Sequence, residues 1–100
     1  MYSEQDIISH LNNPSQADRD LIKHAYEYAK EAHKDHTRYT GEPYMLHLAA
    51  VAYKLADMGM GPRTISAGLL HDTIEDTAVT SEDIRKDFGE EILFLVEGVT

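Results

Sequence analysis

Between Ser15 and His36 the apolar residues Leu21, Ile22, Ala25, Tyr26, Ala29 and Ala32 recur at intervals of three and four. That spacing lays them along one stripe of an α-helix, and such a stripe must be buried against other elements. Ser15 is placed to cap this helix, which is predicted to run to about His36. No stretch of the chain alternates apolar and polar residues with period two over a convincing length, so no strand is expected. The remaining segments read as helices too. Ser3 caps a short one over SEQDIISHLNN, with Ile7, Ile8 and Leu11 on one side and Asn12-Asn13-Pro14 as its end. HTRYTGEPY, residues 36–44, is a loop, because Gly41 and Pro43 break both helix and strand. Pro43 suits the first turn of the next helix, Tyr44 to about Asp57, whose apolar positions are Leu46, Ala49, Ala50, Val51 and Leu55. After the break at Met58-Gly59-Met60-Gly61, Pro62 opens a helix through Ile65, Leu69 and Leu70. Thr80 and Asp83 form a capping pattern ahead of Ile84 and Phe88, with Gly89 as the stop. Glu90 to Glu97 closes the series with Ile92, Leu93, Leu95 and Val96. The expected architecture is all-α, one domain over residues 1–100, with roughly six helices.

Composition narrows the partners. The chain carries 18 acids against 9 bases, a net charge of −9. A nucleic-acid backbone is repelled on average, since affinity for phosphates comes from Lys and Arg. A small anionic substrate remains open, given a metal ion or a local basic patch to reverse the field. With no cysteine, disulfides and thiolate metal sites are excluded. The longest apolar segment, around Leu48 to Leu55, is far too short to span a bilayer, and the polar start Met1-Tyr2-Ser3-Glu4 does not resemble a signal peptide. No membrane partner and a cytoplasmic location are expected. Six histidines is a high count for 100 residues, and neutral imidazole is a common metal ligand.

The densest chemistry lies in LLHDTIEDT, residues 69–77, which sets His71, Asp72, Glu75 and Asp76 directly after an apolar run. A helix turns about 100° per residue, so His71 and Asp72 point in neighbouring directions. Asp76 then lies one turn beyond Asp72, and Glu75 one turn beyond His71. An imidazole nitrogen beside a carboxylate oxygen suits Mn²⁺, Fe²⁺ or Zn²⁺. Two ligands rarely hold a metal alone. His47 is the best third candidate, near the start of an otherwise apolar helix, and His33 is the second. His10, His24 and His36 are expected on the surface. Spacing alone leaves a second reading open, in which the acidic residues are a helix end facing water.

Three stretches together are more specific: AHKDHTRYTGEPYMLH (32–47), AGLLHDTIEDT (67–77) and IRKDFGEEILFLVEGVT (84–100). In order and spacing they resemble the HD-type hydrolase domain of the RelA/SpoT family, including its small stand-alone members, over residues 25–100. The resemblance implies an HD-domain-like helical bundle that removes pyrophosphate from the 3′ position of ppGpp and pppGpp with a bound Mn²⁺. It implies His47, His71 and Asp72 as metal ligands, with a further Asp ligand lying past the GVT stretch. It implies Glu75 and Asp76 as the acidic pair that positions and activates water. Arg38 would pack on the guanine base, with Tyr39 and Thr40 at substrate-contacting loop positions. The chain departs from the family in placing Leu48, rather than Pro, after His47. It stops at Gly98-Val99-Thr100 with no C-terminal cap, reads as truncated there, and has no synthetase-like segment. A core lacking covering helices would expose an apolar face and favour self-association. Two other functions compete: an HD-type phosphohydrolase acting on another nucleotide, and an inactive or regulatory helical module.

Overall fold

Three capping boxes start the helices of this protein. At Ser3, Ser15 and Thr80 the side-chain oxygen accepts the N–H of an Asp three residues on, and that Asp accepts the cap residue's own N–H. Each satisfies two orphan donors at a helix start, and losing such a cap costs about 1 kcal/mol. The computed structural model describes residues 2–98. Those residues form α1 (Glu4–Ile8), α2 (Gln16–Ala32), α3 (Tyr44–Asp57), α4 (Pro62–Leu70), α5 (Thr73–Asp76), α6 (Ser81–Phe88) and α7 (Glu90–Gly98). Among them no strand forms; an isolated bridge between Thr37 and Pro43 closes the α2–α3 loop. Val99 and Thr100, the last residues of the 84–100 match, lie outside the described residues.

Three boundaries differ from the sequence expectation. The all-α bundle stands, but the helix expected to run from Pro62 into LLHDTIEDT breaks at His71 and Asp72 into α4 and α5. The His71 ring donates from Nδ1 to the Gly68 carbonyl, satisfying an end-of-helix acceptor with a side chain. α2 ends at Ala32 rather than about His36, with His33 as its C-cap. α1 ends at Ile8, where the Ser9 hydroxyl donates to the Asp6 carbonyl at 2.7 Å and competes with further helix.

α4 is the central element, packed against α2, α3 and α7. Its Ile65, Ala67, Leu69 and Leu70 are buried. α2 contributes the expected stripe, Ile22, Ala25, Tyr26 and Ala29, with Leu21 and Ala32 half-buried. α3 is turned relative to expectation. Met45, Leu48, Ala49, Ala52 and Ala56 are buried, Leu46, Val51 and Leu55 are half-buried, and Ala50 is exposed. Apolar residues occur all around α3, so its own pattern did not single out the buried side. α1 joins the same core through Ile7 and Ile8. Among the described residues no helix is long and apolar enough to cross a membrane.

One core position is polar without compensation. Ser66, in the middle of α4, is fully buried, and its Oγ has no hydrogen-bond partner. An unmet buried hydroxyl costs about 1–3 kcal/mol, and Ala is the better helix former. Ser66→Ala is therefore expected to stabilise the protein by about 1 kcal/mol, raising the thermal midpoint by roughly 4–8 °C for a chain of this size. Thermal denaturation followed by circular dichroism reads this directly, and a lowered midpoint contradicts it.

Candidate active site

The corner between α4 and α5 holds His71 and Asp72, with side chains 24% and 19% exposed. A carbonyl oxygen only accepts, so the bond to Gly68 puts a proton on His71 Nδ1. Nε2 then presents a lone pair when the ring is neutral, and it stands 3.2 Å from Asp72 Oδ2. Two acceptors at that distance require a proton or a cation between them. Adjacent ligands of an octahedral ion with bonds of about 2.1 Å lie ~3.0 Å apart, so the pair fits two neighbouring positions on one divalent cation.

Tyr44, the first residue of α3, donates its hydroxyl to Asp72 Oδ2 at 2.6 Å. Burial pushes this phenol up to about 12, helped by the hydrogen bond to Asp72 and by the charges of Asp72 and Asp76. The Arg38 charge acts in the opposite sense. The Tyr44 ring stacks on His33, with centroids 5.1 Å apart and planes at 18°.

His33 is not a free ligand. It is 1% exposed, its Nδ1 lies 3.2 Å from His36 Nδ1, and its Nε2 lies 3.5 Å from Thr73 Oγ1. Burial holds its imidazole below the usual range, reinforced by His36 and opposed by Asp76 and Asp72. It forms a wall behind Tyr44. His36, expected on the surface, is half-buried against this ring. His24 and His10 are exposed as expected; His24 stacks on Phe88 and His10 meets the edge of Tyr53.

His47 is half-buried, its ring 5.6 Å from that of Tyr44. It shares one line of α3 with Val51 and Leu55, four and eight residues on. Those two residues line a recess of about 230 Å³ together with Thr64, Ala67, Gly68, His71 and Leu95. His71 borders this recess directly, and His47 is tied to the same corner through its contact with Tyr44, which bonds Asp72. Even so, among the described residues no group of three or more His, Cys, Asp or Glu side chains stands close enough to hold a metal ion. The donor chemistry fits a divalent cation at His71 and Asp72, while His47 stands apart from the pair.

The acidic residues beyond the pair are exposed. The Asp76 N–H donates to the Asp72 carbonyl at 2.9 Å, keeping Asp76 one turn beyond Asp72. Glu75 is exposed on α5, and the break at His71 removes the continuous helix expected to join them. Arg38, Tyr39 and Thr40 sit on an exposed loop, Tyr39 at 96%. That loop is tied by Arg38 N–H to the Glu42 carbonyl, Gly41 N–H to the Arg38 carbonyl and Tyr44 N–H to the His36 carbonyl, at 2.8, 2.8 and 2.9 Å. Gly41 has φ +89°, a left-handed turn that an L side chain rarely adopts.

A family profile described as HD domain matches residues 25–100. The chain belongs to the HD domain family. HD domains are metal-dependent hydrolases. This HD domain is 51% identical over 96 residues to a protein of Aquifex aeolicus named guanosine-3′,5′-bis(diphosphate) 3′-pyrophosphohydrolase, covering 96% of the chain and 13% of that protein. It is 47% identical over 79 residues to the bifunctional (p)ppGpp synthase/hydrolase SpoT of Escherichia coli, covering 79% of the chain and 11% of SpoT. A GTP pyrophosphokinase of Streptomyces coelicolor is 49% identical over 79 residues, covering 79% of the chain and 9% of that protein. The resemblance to RelA/SpoT proteins thus holds across most of the chain, which spans 13% or less of the length of these relatives.

Sequence reasoning missed Tyr44 in this HD domain. It counted there only as the start of α3. The available signal was a hydroxyl-bearing ring directly after Pro43 and one turn before His47.

Proposed function

We propose that this HD domain hydrolyses the 3′-pyrophosphate of guanosine bispyrophosphate in the cytoplasm, converting ppGpp to GDP and pppGpp to GTP with release of pyrophosphate. The observation that carries the reading is the His71–Asp72 pair, with Nε2 and Oδ2 at 3.2 Å and the ring locked by Gly68. The names of the similar proteins support the substrate. Residues 1–100 act as one part of the domain, since α1 shares its core.

His71 and Asp72 would hold a divalent ion, Mn²⁺ in this proposal, with His47 joining as a third donor once its ring moves toward the pair. Such an ion lowers the pKa of a water and neutralises phosphoryl oxygens. Glu75 and Asp76 are exposed carboxylates beside the pair, suited to take a proton from the attacking water. The water oxygen adds to the phosphorus nearest the ribose, the bond from that phosphorus to O3′ breaks, and the proton returns to O3′. Arg38 offers a planar guanidinium to stack on guanine, which a lysine would do less well. Tyr39 and Thr40, on the same exposed loop, contact the nucleotide. Arg38 also opposes the repulsion between a −9 chain and a polyanion. Phe94, 76% exposed on α7 beside half-buried Leu95, supports self-association of copies through that face.

The purified chain with Mn²⁺ is expected to release pyrophosphate from ppGpp, to release no phosphate from GMP, and to lose turnover with a chelator. Absence of both turnover and Mn²⁺ binding at high micromolar metal refutes the proposal. Phosphate release from GMP at a similar rate would assign a different nucleotide. Sedimentation of the same sample measures the association.

A further inference from the structure

We infer that Tyr44 is a positioning residue, whose hydroxyl holds the Asp72 carboxylate turned toward His71 and thereby sets the affinity of the pair for a divalent cation. Asp72 occupies the N-cap position of α5, where a carboxylate ordinarily accepts an N–H of the helix it starts. Here it makes no such cap bond. Its Oδ2 instead accepts the Tyr44 hydroxyl at 2.6 Å, a charge-assisted bond and therefore stronger than a neutral one. The bond spans 28 residues of chain, joining the start of α3 to the α4–α5 corner.

Tyr44 is itself firmly set. Its N–H donates to the His36 carbonyl at 2.9 Å, and its ring lies flat on buried His33 and edge-on to His47. One side chain thus touches the loop side of the site, the proposed third ligand and the carboxylate. The hydroxyl uses one lone pair of Oδ2, leaving the other and both of Oδ1 for a cation. Groups that orient a ligand in this way typically change metal affinity ten- to a hundredfold when removed. The inference rests on the proposed hydrolase reading only for what the carboxylate holds.

Tyr44→Phe removes the hydroxyl and keeps the ring. The probe is Mn²⁺ alone, titrated into the full metal-free chain with free Mn²⁺ read by electron paramagnetic resonance. The titration is run where circular dichroism shows both proteins folded. The expected result is a Kd raised about ten- to a hundredfold in the variant. A Kd equal to that of the unaltered protein overturns the inference. Should the unaltered protein show neither Mn²⁺ binding nor turnover, the hydrolase reading fails on its own, and the metal-free protein still decides the role of Tyr44. A Tyr44 hydroxyl proton in slow exchange by NMR, displaced in Asp72→Ala, upholds the anchor, and its absence overturns it.

Discussion

Asp72→Ala is expected to lower the rate of ppGpp hydrolysis by about 10³-fold or more and to abolish saturable Mn²⁺ binding. The carboxylate carries the charge that faces His71 Nε2 at 3.2 Å, and it is the acceptor of the Tyr44 hydroxyl. Removing it deletes one donor to the cation and takes away the acceptor of the Tyr44 hydroxyl. Asp72→Asn separates these effects. The amide oxygen still accepts from Tyr44 but carries no charge, so it keeps the local structure while losing the cation. Single-turnover release of pyrophosphate, measured beside Mn²⁺ binding, reads both losses. The side chain is 19% exposed, so the fold loses only about 1 kcal/mol, and a collapse in activity without unfolding is the expected signature. Hydrolysis at an unchanged rate in Asp72→Ala would move the chemistry away from this corner.

Leu48→Ala is expected to have the largest effect on stability, about 2–5 kcal/mol. Leu48 is fully buried in α3, next to His47. Truncation removes transfer energy and leaves a cavity in a core that cannot close over it. A domain of this size has ~5–15 kcal/mol in total, so the loss runs from about an eighth of it upward. Urea denaturation should show a lower midpoint at similar slope, with the thermal midpoint falling by more than about 10 °C. The site responds too, because the burial of Leu48 and Ala52 sets the rotation of α3. That rotation puts Val51 and Leu55 into the lining of the recess that His71 borders. A stability within ~1 kcal/mol of the unaltered protein would mean that Leu48 does not anchor α3.

The elements themselves are legible in the amino-acid sequence. Ser3 and Ser15 cap where their hydroxyls placed them, and Thr80 does so with Asp83 as its partner. The α2 stripe is buried as spaced, and the pairing of His71 with Asp72 followed from adjacency. These are local properties, set by side chains within one helical turn of each other. Tertiary structure decided the rest. A helix apolar all round, as α3 nearly is, does not choose its buried side until α4 packs against it. The break at His71 depends on a ring reaching back to Gly68, and it leaves Glu75 exposed and outside any shared helix face with His71. Burial of His33 and the bond from Tyr44 to Asp72 join residues 40 and 28 positions apart. Periodicity carries no term for such pairs, because their energy exists only once the chain has closed on itself.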